Sequence, residues 1–247
     1  MPTNRNPKRG RTPKQDRTEY RDAAGHALSD YPRPSLAVDT AVLTVAARPK
    51  PAPARPTLQL LVLLVRRPPD AGEPVWALPG TFLHQRERLA DAVTRSLADK
   101  AGIIARPPTT PLGVFDDPDR DARGWVISVA HLAAIAHHHL IDALDTRPDQ
   151  IRLARASRPG RLPYDHAAIL TAALTQLRQL YRRRPDPLRL LGTTFTISQL
   201  RQVHEAVHGD HLQKDTFRRA MEPLLRPTDT RTTGSIGRPS QVFHRPR

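Results

Sequence analysis

The 247-residue chain contains no cysteine. Disulfides and thiolate-held metal sites are therefore excluded, and a reducing compartment fits. Long apolar runs are missing too. The longest, Leu60 to Val65, falls well below the ~20 residues a spanning helix needs. The N-terminal segment is basic and Pro-rich without an apolar stretch, so it does not read as a secretory signal. The expectation is a cytoplasmic protein that does not engage a membrane. Acidic residues are in deficit: 24 Asp+Glu stand against 39 Lys+Arg, a formal net charge of +15. Such a surplus favours a polyanionic partner, nucleic acid first. An Arg-rich codon bias would leave the same surplus, so charge alone does not decide the point.

Residues 1–29 read as a disordered basic tail, with Arg5, Lys8, Arg9, Arg11, Lys14 and Arg17 set among Pro, Asn, Thr and Gly and almost nothing to bury. Residues 30–187 mix strands and helices. Alternation from Leu36 to Val45 predicts a strand, "TLQLLVLLVRR" a buried one ending in Arg66 and Arg67, and "VWALPG" a short one entering a turn. "PLGVFDDPDRDARGWVISVAHLAAI" reads as strand, polar loop, strand. The segment after it, "AHHHLIDALDTRPDQ", is ambiguous. His137, His138 and His139 are consecutive and cannot share one face, so they do not make a metal site. "LPYDHAAILTAALTQLRQLYRRR" is a helix with Asp165 as its N-cap and Ile169, Leu170, Leu174 and Leu177 at helical spacing. The "PDP" after Arg184 marks a domain boundary, which closes the first domain at Pro187.

Residues 188–247 carry ten Lys+Arg against five Asp+Glu. Thr196 and Gln199 form a capping box, Leu200, Val203 and Val207 an apolar stripe, and Gly209 a stop. A second helix, "QKDTFRRAMEPLL", buries Phe217, Ala220 and Met221 and exposes Lys214, Thr216, Arg218 and Arg219. An alternating Thr/Arg stretch, a Gly-rich tip with Arg238 and a returning strand at Gln241 to His244 follow. Helix, turn, basic helix and hairpin make a winged helix-turn-helix, whose second helix enters the major groove. Lys214, Thr216, Arg218, Arg219 and Arg238 are the predicted DNA contacts. A small helical subdomain packed on the first domain is the plainer alternative.

The stretch "WALPGTFLHQRERLADAVTRSLADKAGI" resembles the Nudix box. Gly80, Glu87, Arg95, Leu97, Gly102 and Ile103 stand in its positions, with one extra residue between Gly80 and Glu87. The family's three metal-binding glutamates correspond to Ser96, Asp99 and Lys100, which share one helix face by spacing. The order of "YPRPSLAVDTAVLTV", "VLLVRR", "LPYDHAAIL", "FTISQLRQVHEAVHG" and "GRPSQVFHR" is similar to that of the Nudix-related transcriptional regulators, the NrtR family. The resemblance implies an α+β chain: a Nudix-like α/β/α sandwich followed by a winged helix. It further implies a homodimeric repressor, typically of NAD-metabolism genes, that binds a double-stranded DNA operator and senses ADP-ribose or a related nucleotide.

In Nudix hydrolases the glutamates hold Mg²⁺ against a pyrophosphate and help generate the attacking hydroxide. Ser96 is neutral and Lys100 repels a cation. Glu87 and Asp99 retain enough carboxylate for one weakly held, hydrated Mg²⁺, but no catalytic residue and no resident metal are expected. Glu87 and Arg95 also read as a purely structural pair. The expected effector-binding residues are Arg66, Arg67, Gly80, Lys100, Asp119, Arg120, Asp121 and Arg123, with the cations on phosphate or adenine and the carboxylates on ribose hydroxyls. Solvated charge and a Pro/Gly-built turn are the plainer readings of the same residues. Two functions therefore stand: a regulator with a non-catalytic Nudix domain, or an active pyrophosphatase acting on ADP-ribose or another nucleoside diphosphate derivative.

Overall fold

The computed structural model describes residues 20–48, 57–68, 75–232 and 239–245. Residues 20–34 belong to a small N-terminal unit, distinct from the unit formed by residues 35–247. Contrary to the expected disorder up to Ser29, residues 20–30 are ordered. Arg21 bridges to Ala27, the Asp22 carboxylate accepts the backbone N–H groups of Ala24 and His26, and Leu28–Asp30 forms one 3₁₀ turn. The six basic residues of the tail lie outside the described residues.

The larger unit is built on a seven-stranded mixed sheet. Its strands are β1 (Ser35–Arg48), β2 (Thr57–Arg67), β3 (Val75–Ala77), β4 (Gly80–Phe82), β5 (Thr109–Phe115), β6 (Val126–Ala134) and β7 (Ile151–Arg155), in the order β3-β2-β1-β6-β5, with β4 paired to β1 and β7 to β2. β1 runs parallel to β6 and antiparallel to β2 and β4.

The period-2 pattern of the strands feeds two cores. On one face Val38, Val42, Leu63 and Val65 pack with Ala92, Val93, Leu97 and Ala101 of α1 (Leu89–Ala101) and Ala143 of α2 (Ile141–Thr146). On the other, Leu43, Val45, Leu60, Val62 and Leu64 pack with Ile169, Leu170, Ala173 and Leu177 of α3 (His166–Leu180). Helices on both faces of one sheet are the sandwich expected from the pattern. The ambiguous histidine segment resolves into a 3₁₀ turn, His137–His139, leading into α2.

The C-terminal region is a winged helix. It comprises β8 (Thr194–Thr196), α4 (Ile197–His208), α5 (Lys214–Met221), β9 (Arg226–Arg231) and β10 (Gln241–His244), the three strands ordered β8-β10-β9. The Thr196–Gln199 capping box is formed in both directions, and Gly209 ends α4 at φ +83°. Ala220, expected to be buried, is exposed; Phe217 and Met221 alone fill the core from α5. They do so with Phe195, Leu200, Leu225 and Phe243.

α4 serves two cores at once. Leu200 belongs to the winged-helix cluster, whereas Val203 and Val207 belong to the sheet core of the first domain. Asp186, fully buried at φ +44°, fastens the junction. It accepts hydrogen bonds from the Tyr181 hydroxyl and from the backbone N–H groups of Leu190 and Leu191, and it pairs with Arg245 near the C-terminal end. The two domains therefore share packed surface rather than a slack linker. Among the described residues, no helix is long and apolar enough to cross a membrane.

Candidate functional site

A cavity of about 200 Å³ opens beside the sheet, between β1, β4, the end of α1, the 120–123 loop and the start of α3. Asp39 lines it, the one carboxylate of β1. Its carboxylate accepts hydrogen bonds from Ser128 Oγ (2.7 Å) and Arg120 Nη2 (3.2 Å), and His166 Nε2 lies 3.3 Å away. His166 Nδ1 accepts the Leu78 N–H at 3.0 Å, which leaves the ring proton on Nε2, facing Asp39. Burial alone would raise the Asp39 pKa; the His166 hydrogen bond, with help from Ser128 and Arg120, outweighs it and holds the carboxyl below its ordinary range.

Arg120 was expected to meet a ligand. Its guanidinium is instead buried and committed to protein, with Nε and Nη2 on both oxygens of Asp165 (2.8 and 2.6 Å) as well as Asp39. Asp165 consequently does not cap α3 with its side chain, as its sequence position predicted. Asp121 is buried and holds Arg123 in a two-point pair at 2.9 and 2.7 Å. Arg123 lies 5.4 Å from the ring centroids of both Phe82 and Tyr164. Tyr164 adopts φ +54°, a conformation that costs a bulky residue energy and recurs at functional sites. Its hydroxyl accepts a hydrogen bond from Arg67.

Arg67, Gly80, Lys100, Arg120, Asp121 and Arg123 thus line one cavity, although they are scattered over 57 positions of sequence. Arg66 and Asp119 do not line it and are exposed. The Asp119 backbone N–H closes a turn on the Asp117 carboxylate. Asp39, Phe82, Ser128, Tyr164 and His166 escaped the sequence reading as site residues. Asp39 alone carried a usable signal, as the one carboxylate of β1.

The altered Nudix helix separates its three key residues. Ser96 is buried and its hydroxyl has no hydrogen-bond partner. Asp99 is exposed and outside the cavity wall, so the common face read from spacing is not a common pocket. Lys100 donates its ammonium to the Gly80 carbonyl. Desolvation lowers its pKa, and the charges of Arg67, Arg123 and Arg95 add to the shift. Gly80 is sterically required, because a Cβ there would meet Asp39 Oδ1 at 1.9 Å and the Val38 carbonyl at 2.9 Å. Glu87 is engaged within the protein: Oε1 and Oε2 each take an Arg95 hydrogen bond at 2.8 Å, and Oε2 also takes the His84 N–H. Its carboxyl is held down to about 2 by Arg95 first. Among the described residues no group of three or more His, Asp or Glu is placed to hold a metal ion.

The second candidate surface is α5. Lys214, Thr216, Arg218 and Arg219 are all exposed on it, opposite Phe217 and Met221. Gln213 caps the helix through the Thr216 N–H at 2.7 Å. Arg218 is braced by Glu222 at 2.6 and 3.0 Å. Arg238, the expected wing contact, lies outside the described residues.

Comparison with known proteins agrees with this division. The model of the NrtR DNA-binding winged helix domain matches residues 187–244, and that of the NUDIX domain matches residues 52–159. A curated relative from Acinetobacter baylyi, named ADPR responsive transcriptional repressor NtrR, is 30% identical over 228 residues, 89% of this chain and 85% of its own length. An ADP-ribose pyrophosphatase of Methanocaldococcus jannaschii is 29% identical over 109 residues, 44% of this chain and 63% of its own. The crystal structure of Shewanella oneidensis NrtR complexed with a 27mer DNA superposes with a TM-score of 0.69 at 28% identity, covering 85% of this chain and 93% of that one. The chain belongs to the NrtR family, with a Nudix domain followed by the NrtR winged helix.

Proposed function

We propose that this chain is a transcriptional repressor that reads duplex DNA through α5 and senses ADP-ribose, or a related pyrophosphate nucleotide, in the Nudix cavity without hydrolysing it. The observation that carries the reading is the chemistry of the cavity wall. A Nudix hydrolase needs converging carboxylates to hold Mg²⁺; this wall offers Arg67, Lys100 and Arg123 instead. Cations there bind a diphosphate and leave it intact. The Acinetobacter relative's name as an ADPR-responsive repressor and the Shewanella relative's DNA complex support the two halves of the assignment.

Arg67, Lys100 and Arg123 contact the ligand; Gly80 seats Lys100 on its carbonyl and leaves room for Asp39, Asp121 holds Arg123, and Arg120 braces Asp39 and Asp165. Lys214, Thr216, Arg218 and Arg219 meet the operator, with Arg238 on the wing. The domain division follows from these roles: residues 30–187 sense, and residues 188–247 read DNA. The active form is a homodimer, which sets two recognition helices about one duplex turn apart, roughly 34 Å. Its targets are genes of NAD metabolism, and ligand binding releases the operator.

The likeness to an ADP-ribose pyrophosphatase favours a second reading, hydrolysis. One experiment separates the two. ADP-ribose is titrated into the full-length protein with and without operator at fixed salt, and nucleotide turnover is followed in the same samples with Mg²⁺. The repressor reading expects two different dissociation constants and marginal turnover. Coupling of this kind amounts to about 5–150-fold and is reciprocal between the two ligands. Equal constants together with multi-turnover hydrolysis would establish the enzyme reading instead.

A further inference from the structure

The Nudix fold implies a divalent metal, and the residues present do not fit one. Ser96 is buried with its hydroxyl unpartnered, Asp99 stands outside the cavity, and both Glu87 oxygens are hydrogen-bonded, to Arg95 and the His84 N–H, outside the cavity lining. The Gly80 carbonyl, a hard oxygen facing the cavity, is taken by the Lys100 ammonium.

We propose that Lys100 is the built-in cation of this site: seated on the Gly80 carbonyl, it neutralises the ligand's diphosphate in place of a metal, so the ligand is bound metal-free and Mg²⁺ opposes binding. This rests on the effector reading above and adds to it the charge state of the ligand that the cavity accepts.

The balance of charge around the cavity carries the argument. Four cationic side chains line it, Arg67, Lys100, Arg120 and Arg123, against two carboxylates, Asp39 and Asp121. Each carboxylate is already spent. Asp121 pairs with Arg123, and Arg120 is shared between Asp39 and Asp165, a carboxylate beside the cavity rather than in its wall. Arg67 and Lys100 remain, two positive charges on one wall, and their mutual repulsion contributes to the lowered Lys100 pKa. With Asp165 counted beside Arg120 the group as a whole carries one net positive charge, and the two negative charges of a diphosphate diester fall on Arg67 and Lys100, the two cations of the wall that hold no carboxylate. The diester's Mg²⁺ chelate carries no net charge, and it would bring a divalent cation against an ammonium that is already crowded by Arg67, Arg95 and Arg123. Lys100 is held by one carbonyl and keeps two ammonium hydrogens for phosphate oxygens. The Arg67 guanidinium, tethered through one nitrogen to the Tyr164 hydroxyl, keeps further donors of its own.

The test is calorimetric titration of ADP-ribose into full-length protein, in EDTA and in excess Mg²⁺ at matched ionic strength. Wild type is expected to bind more tightly in EDTA than in Mg²⁺, and equal affinity in the two buffers would overturn the claim that Mg²⁺ opposes binding. Lys100→Met is expected to lose affinity in both buffers, by about 10–100-fold, the worth of one charge-assisted hydrogen bond. Lys100→Glu is expected to lose more in EDTA and to recover part of it in Mg²⁺, because a carboxylate on that wall recreates a metal ligand. Thermal melting of each variant without nucleotide checks that the fold is retained. Wild-type binding that requires Mg²⁺ would overturn the inference and leave the effector reading standing. So would a Lys100→Met protein that melts like wild type and binds ADP-ribose equally well in EDTA. Absence of ADP-ribose binding by wild type in both buffers would overturn the effector reading itself.

Discussion

Asp186→Ala should be among the most damaging single substitutions outside the hydrophobic cores. The carboxylate is fully buried and gathers four partners. Oδ1 accepts from the Tyr181 hydroxyl and the Leu190 N–H, both at 2.7 Å; Oδ2 accepts from the Leu191 N–H at 3.0 Å and lies 3.3 Å from Arg245 Nε. Truncation leaves a buried hydroxyl and two buried amides without acceptors, at about 1–3 kcal/mol each if nothing relaxes. It also removes the partner of a mostly buried guanidinium, and breaking such a pair costs about 3–5 kcal/mol. The terms do not add. Water enters the hole, and Arg245 keeps the Leu191 and Gly192 carbonyls. A loss of about 3–5 kcal/mol is therefore expected, a large part of a typical total of about 5–15 kcal/mol. Asp186→Asn keeps the shape, one acceptor and tolerance of positive φ, so it should cost less. Tyr181→Phe removes one hydroxyl and should cost about 0.5–1.5 kcal/mol. Urea unfolding followed by circular dichroism measures all three. A reversed ranking, or an Asp186→Ala protein within about 1 kcal/mol of wild type, would refute this account of the junction.

Three further outcomes are expected. Glu87→Gln lowers the melting temperature at neutral pH. The Glu87 pKa is depressed to about 2 in the fold, so its stabilising contribution is complete above the ordinary carboxylate range and fades as the pH falls towards 2; a melting difference from wild type that stays constant over that window would contradict the pairing with Arg95. His204 is held down to about 4, by burial first and then by the charge of His208, from an ordinary value of 6.5. The unfolded chain therefore takes up its proton first, stability falls as pH drops below 6.5 and flattens under about 4, and His204→Leu should flatten that limb of a denaturant titration. Lys214→Ala should weaken operator binding and reduce the log–log salt slope by about one, the signature of one lost phosphate contact; an unchanged slope would remove Lys214 from the DNA interface.

The sequence made the sheet and the long helices legible because their periods are local. β2 ends at Arg67 as the apolar run does, and the Thr196–Gln199 box and Gly209 bound α4. Short pieces escaped. β4 and β8, three residues each, and β7, five, show no period of their own and form by pairing along β1, β10 and β2, whereas the equally short β3 was legible from its turn in "VWALPG". The expected α3 cap failed for a tertiary reason: Asp165 is drawn to Arg120, 45 positions away. The spacing of Ser96, Asp99 and Lys100 was read correctly as one side of a helix, but it could not show that the core takes Ser96 and solvent takes Asp99. Asp39 and His166 are brought together by the fold across 127 positions, and no local pattern records that.

The same long-range contacts constrain how a ligand in the cavity can influence DNA. α3 begins at the site, where His166 holds Asp39 and the preceding Asp165 holds Arg120. Fifteen residues later, about 22 Å along the axis, its end meets the winged helix. The Tyr181 ring lies 5.1 Å from His204 of α4, and His204 lies 5.0 Å from Phe217 of α5. The chain of contacts is buried throughout, and His204 Nε2 has no hydrogen-bond partner in it. Between Tyr181 and Phe217 the path runs through ring packing, while polar networks stand at both ends of α3, His166–Asp39–Arg120 at its start and Tyr181–Asp186–Arg245 at its end. A hinge is poorly supported, because Val203 and Val207 lock α4 onto the sheet. A free swing of the winged helix would tear that core open, so the motion compatible with this architecture is a small tilt of α3 and α4 together. For the homodimer proposed above, with two α5 helices one duplex turn apart, that tilt suffices, since an error of a few ångströms in their spacing takes one helix out of register with its groove.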